Sequence, residues 1–203
     1  MTQLSKYFLF ALFLILIAND GYTFNRWFKV SPGFRIAGLV IDMSSRVPDN
    51  GTTSRLNFGF GINLDIQLEK YIGVDIDLLY LRKGASMNSG GSTITLQYIS
   101  IPTLAKFYIV RNQFAFVIGP VHNFLIAADG TLRSPNVQLN SSNTNVYDLG
   151  FAFGVSYVIK RYSNGMRLVG DLRFEFGLSN VFKNYRPEFF NRTFPYLGIG
   201  LNF

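Results

Sequence analysis

The sequence predicts an all-β fold, an eight-stranded antiparallel up-and-down transmembrane β-barrel, and three observations predict it. Eight segments alternate bulky apolar residues with small or polar ones at period two, with no convincing helical period between them. The links joining these segments alternate strictly between long and short. Glycine and charge share the face of the segments that is not apolar.

Strands are predicted at 29–41, 55–68, 72–83, 95–109, 113–127, 146–160, 166–178 and 193–203. Each is long enough for the ~9 to 11 tilted residues that cross a hydrocarbon layer. The first carries Arg35. The second sets Leu56, Phe58, Phe60, Ile62, Leu64, Ile66 and Leu68 against Arg55, Asn57, Gly59, Gly61, Asn63, Asp65 and Gln67. The third opposes Ile72, Val74, Ile76, Leu78 and Tyr80 to Gly73, Asp75 and Asp77. The fourth contributes Lys106, and the fifth, the least clearly patterned, holds the single histidine, His122. The sixth sets Tyr147, Leu149, Phe151, Phe153, Val155, Tyr157 and Ile159 against Asp148, Gly150, Ala152, Gly154 and Ser156. The seventh opposes Leu168, Leu172, Phe174, Phe176 and Leu178 to Arg167, Asp171, Arg173, Glu175 and Gly177, and the eighth aligns Leu197, Ile199, Leu201 and Phe203.

The long links read DMSSRVPDNGTTS, GASMNSGGST, DGTLRSPNVQLNSSNTN and SNVFKNYRPEFFNR, and the short ones EKY, VRN and RYSNG. In an up-and-down barrel this alternation gathers all four long loops at one end. Outer-membrane barrels show that asymmetry, with short periplasmic turns and long external loops.

Which face meets solvent follows from the room inside. A small eight-stranded barrel encloses only its own side chains, so glycines beside long charged residues suit the interior. That face collects Arg35, Arg55, Lys106, Arg167 and Arg173 against Asp65, Asp75, Asp77, Asp148, Asp171 and Glu175. Five cations facing six anions form a nearly neutral ionic network, as expected where an unpaired charge is costly. The alternative, a soluble periplasmic barrel binding an apolar ligand, would have to pack aromatic side chains from almost every strand into too narrow a bore. Trp27, Phe28, Tyr71, Tyr80, Tyr108, Tyr147, Tyr157, Tyr162 and Phe194 stand near strand ends, where interfacial girdles form.

Composition and targeting agree with export. The 203 residues suffice for one domain. Only 15% are charged, and the net charge of +7 is scattered with no run of three cations, which argues against a nucleic-acid patch. Lys6 precedes the twelve apolar residues YFLFALFLILIA, too few for a spanning helix and suited to a signal peptide at 1–20, leaving 21–203 as the barrel domain. There is no Cys, hence no lipid-anchor cysteine and no disulfide to support the exported fold.

LQYISIPTLAKFYI followed by FAFVIGPVHNFLIAADG resembles the central strand pair of PorT-like outer-membrane β-barrel proteins, in which a Tyr-x-x-Ile-Pro segment precedes an apolar strand containing Gly-Pro. The matching positions are Tyr98, Ile101, Pro102, Gly119 and Pro120. The resemblance implies the outer membrane of a Gram-negative bacterium, where some members serve protein secretion and most have no assigned activity. The terminal Phe203 is similar to the signal read by barrel-assembly machinery in its clients.

No catalytic, cofactor or metal site is expected. His122 has no Ser positioned beside it in sequence, and metal-ligand spacing is absent. Asp75 and Asp77 share a face but suit ion pairing better than acid–base work. The alternative of a lipid-modifying enzyme would rest on His122. The favoured function is a noncatalytic outer-membrane barrel with a structural, adhesion or secretion and assembly role through its external loops. Arg133, Lys183, Arg186 and Arg192 are candidate contacts to lipopolysaccharide or a protein partner, with Phe189 and Phe190 as an apolar anchor.

Overall fold

The alternation of large and small residues lets each strand bury one face and expose the other, and the chain does so around a closed cylinder. The computed structural model describes residues 28–45, 52–53, 55–84, 86–87, 92–110, 113–133, 136–139, 143–183 and 189–203. The expected signal peptide, Trp27 and Arg186 lie outside the described residues. In chain order the strands are β1 (Lys29–Ser45), β2 (Thr52–Thr53), β3 (Arg55–Gln67), β4 (Ile72–Lys83), β5 (Ser86–Met87), β6 (Ser92–Val110), β7 (Phe114–Arg133), β8 (Asn136–Leu139), β9 (Tyr147–Arg161), β10 (Arg167–Gly177) and β11 (Phe189–Asn202).

Eight long strands pair antiparallel in the order β1, β3, β4, β6, β7, β9, β10, β11, and β11 returns to β1, so the sheet has no open edge within the barrel. Closure satisfies the ladder hydrogen bonds internally, the condition for a strand to lie in lipid. The three short strands that the sequence expectation lacked, β2, β5 and β8, all fall at the loop end. There β6 and β7 run past their neighbours, β7 folds back on β8 through Gly130 and Leu139, and β2 pairs with β5. Part of the third long link is therefore hairpin, because its Thr131, Leu132 and Arg133 continue a ladder already in register.

At the other end the links are tight. Gly165, at φ +90°, takes the left-handed conformation in the β9–β10 turn that a residue with a Cβ adopts only under strain. β11 begins at Phe189, earlier than expected, and carries a bulge around Phe194 and Pro195, where the register against both β1 and β10 slips. Pro195 lacks the donor a regular ladder needs, and the bulge leaves its position without a register partner on either side.

The outward face is apolar. Leu56 is 80% exposed, Phe34 61% and Ile36 62%, and Phe58, Phe60, Ile62, Phe116, Phe153, Leu197 and Ile199 are exposed with them. A continuous apolar belt of this kind is stable against lipid and not against water. Tyr71, Tyr80, Tyr147, Tyr157 and Tyr162 point outward near its edges. Tyr108 does not join them. It lies on the inward parity of β6, and its hydroxyl donates to Asp65 in the lumen.

Candidate functional site

The inward face brings charged residues from six strands into three clusters along the barrel axis. Room for them comes from glycine. Arg35 lies in register between Gly61 and Gly200, Arg173 beside Gly154, and Lys106 beside Gly73.

The central cluster joins Arg35 and Arg173 to Asp75, Asp77 and Asp171. Arg35 Nη1 donates to both Asp77 oxygens at 2.5 and 2.6 Å, its Nη2 to Asp75 Oδ2 at 3.3 Å, and its Nε lies 3.3 Å from Asp171 Oδ2. Arg173 donates to Asp77 Oδ2 at 2.6 Å, Asp75 Oδ2 at 3.0 Å and Asp171 Oδ1 at 3.5 Å, with its guanidinium 5.4 Å from the Tyr196 ring centre. Two planar forks each serve several carboxylates, geometry that lysine could not reproduce.

Nearer the tight-turn end, Asp65 accepts from Lys106 at 3.1 Å, Arg167 at 3.3 Å and Tyr108 at 3.0 Å. Toward the loop end, Lys83 donates to Glu175 at 2.6 Å, and Asn123 donates to the same oxygen at 3.0 Å. Asp148 accepts from Ser179 at 2.8 Å and from Asn191 at 2.7 Å. Between the central and loop-end clusters lies a cavity of about 20 Å³ bounded by Ser100, Pro102, Arg173, Glu175 and Tyr196. It has room for about one water.

Of the charged residues that the sequence placed inside, Arg35, Asp65, Asp75, Asp77, Lys106, Asp148, Arg167, Asp171, Arg173 and Glu175 are buried. Arg55 is half-buried at the loop end of β3 and stands outside the three clusters. Sequence reasoning passed over Lys83, although it shares the parity of Asp75 and Asp77 on the same strand. Tyr98, Asn123, Asn191 and Tyr196 were also missed. For Tyr196 and Asn191 the β11 bulge separates their parities, so no single alternation could place both inside.

At the loop end, the third and fourth long links are laced together. Asn145 N donates to Val181 O at 2.8 Å, Lys183 N to Asn143 O at 2.8 Å, and Thr144 bridges to Phe182. Thr144, Val181 and Phe182 are buried. Lys183 is exposed beside them. The remaining loop candidates are placed differently from expectation. Phe189, Phe190 and Arg192 belong to β11, where the ladder to β1 extends beyond the predicted strand, and Phe190 is half-buried and Arg192 exposed. Arg133 ends β7, its backbone paired with Asn136.

His122 lies on the outward parity of β7, level with Leu149 near the start of β9. Its Nδ1 is 2.8 Å from the Tyr147 hydroxyl, and the two rings stack at 6.0 Å. The Tyr98–Ile101–Pro102 and Gly119–Pro120 segments meet across β6 and β7, where Pro102 is in register with Val121. Gly119 lets the strands approach there: a Cβ on it would stand 2.3 Å from Thr103 O.

Residues 21–183 match the family described as the outer membrane protein beta-barrel domain. The chain belongs to this family. Its fold is similar to that of Ail, the attachment invasion locus protein of Yersinia pestis, crystallised with the heparin analogue sucrose octasulfate. That similarity is at 14% identity over 87% of this chain and 99% of Ail, with TM-score 0.50. Neisserial surface protein A is similar at 14% identity over 86% of this chain and 97% of its own, with TM-score 0.53. No curated protein matches the chain. The protein is thus an integral β-barrel of the outer membrane of a Gram-negative bacterium, with its apolar belt in lipid.

Proposed function

We propose that this outer-membrane barrel is noncatalytic and acts as an adhesion or assembly surface through its external end. The observation that carries this is the contrast between its two candidate sites. Among the described residues the lumen is crossed by three ion clusters, with a cavity of about 20 Å³ between two of them, whereas the loop end presents a laced platform with Lys183 exposed and Arg192 on the adjoining strand. Lipopolysaccharide, with anionic phosphates at that level, and a protein partner are the ligands this charge favours. Ail, an attachment invasion locus protein crystallised with a sulfated heparin analogue, gives a precedent for anion binding on this fold.

The pairing of the Tyr98–Pro102 segment of β6 with β7 next to Gly119 and Pro120, Pro102 against Val121, supports the PorT-like assignment within the family. The outward Leu197, Ile199, Leu201 and Phe203 of β11 support recognition by barrel-assembly machinery during biogenesis. The Tyr147 hydroxyl bonded to His122 and the stacking of the two rings support a structural role for this histidine.

Two substitutions test the external reading together with a control. Lys183→Glu with Arg192→Glu should weaken binding of purified lipopolysaccharide or of a cross-linked partner by about tenfold or more while the folded gel band persists. His122→Ala should leave the lipid A and phospholipid profiles unchanged. Unaltered binding in the first variant, or a lost lipid modification in the second, would sink the proposal.

A further inference from the structure

The tight-turn end has a charge character of its own. Among the described residues, Lys29 at the start of β1, Lys70 in the β3–β4 turn, and Lys160 and Arg161 at the end of β9 are exposed there, against one exposed acid, Glu69. Two of these lysines lie over aromatic rings. Lys70 Nζ is 4.9 Å from the Tyr71 ring centre and Lys160 Nζ 5.0 Å from that of Tyr162. The outward residues nearby are apolar: Leu68 and Ile72 flank Tyr71, Ile159 is close to Tyr162, and Phe28 and Phe203 are exposed at the same end.

We propose that this rim binds the anionic phosphodiester headgroups of phospholipids in the inner leaflet, of the phosphatidylglycerol kind. The short turns of an outer-membrane barrel face the periplasm, so these residues meet the inner leaflet. An ammonium over an exposed ring at the edge of a lipid-facing belt is held at headgroup depth, with its stem along apolar surface.

The arrangement around the barrel selects a lipid leaflet over a single macromolecule. The two lysine–tyrosine pairs sit at the β3–β4 and β9–β10 turns, on opposite sides of the cylinder. A leaflet surrounds both at once. A docked protein would have to span the barrel end, where the β3–β4 link keeps close to its strands, with Leu68 and Glu69 N both donating to Ile72 O at 3.0 Å.

The test reconstitutes the barrel in vesicles of equal parts phosphatidylethanolamine and phosphatidylglycerol, extracts it in mild detergent, and counts bound lipids by native mass spectrometry. Phosphatidylglycerol should be enriched, and the enrichment should fall about fivefold for each lysine replaced in Lys70→Gln and Lys160→Gln. Tyr71→Leu and Tyr162→Leu, which keep the charges, should lose less. Enrichment should also decline with added salt. Equal occupancy by the two lipids, enrichment unchanged in the double lysine variant, or displacement of phosphatidylglycerol by peptidoglycan sacculi would overturn the proposal. If the variants fail to give a folded band, the salt series on the unaltered barrel decides, and a salt-independent enrichment overturns it.

Discussion

Replacing Arg35 with Met removes a charge while keeping much of the side-chain length, and the lumen geometry sets what this should cost. Arg35 donates to Asp77 and Asp75 and lies against Asp171, with all these side chains buried. Without it, Arg173 is left as the guanidinium in direct contact with all three carboxylates. Breaking a buried ion network by removing one partner costs about 3–5 kcal/mol, because the other charges stay desolvated and uncompensated. Unfolding of the reconstituted barrel in urea, read by the shift between folded and unfolded gel bands, should show a loss of that size. Arg35→Lys should lose less in charge but still forfeit the fork, for about 1–3 kcal/mol. The double variant Arg35→Met with Asp77→Asn should be more stable than the sum of the single losses by about 1 kcal/mol or more, since one excess anion has gone. A loss below about 0.5 kcal/mol for Arg35→Met, together with additive behaviour in the double variant, would refute the account of the central cluster as a coupled network.

The barrel should be silent in planar bilayers, because an eight-stranded barrel leaves room inside only for its own side chains and three ion clusters cross this one; steady porin-like conductance would contradict this. Phe182→Ser should expose the links around 143–145 and 178–183 to limited proteolysis without unfolding the strands, and an unchanged cleavage pattern would show that Phe182 does not hold them together. Gly119→Val should prevent or slow formation of the folded band, since its Cβ would meet Thr103 O at 2.3 Å; normal folding would remove the close-approach explanation of the glycine.

The alternation of residues was sufficient for most of the barrel wall. Asp75 and Asp77 are two residues apart on a strand whose other face is Ile72, Val74, Ile76 and Leu78, so one face had to be lumen and the other lipid. Lys83 obeyed the same parity and could have been placed by it. The Gly–Arg and Gly–Lys adjacencies were foreshadowed only as composition, because which glycine opposes which cation depends on strand register.

The loop end was less legible. A polar stretch rich in Ser, Asn and Pro carries little signal to separate a loop from a hairpin, and β8 and the early start of β11 exist because neighbouring strands already present ladder partners. That is why Phe189, Phe190 and Arg192 moved from an expected loop to a strand.

By itself, then, the sequence determined the number of barrel-wall strands, the alternation of long and short links, and the sorting of apolar and charged faces, because period two and chain length are local properties. Tertiary structure decided the partners. Only closure of the cylinder brings Arg35 of β1 and Arg173 of β10 onto Asp75 and Asp77 of β4, and only the slipped register at Pro195 turns Asn191 and Tyr196 to the same interior. Those contacts join residues distant in the chain, and their geometry follows from register and shear that no single strand encodes.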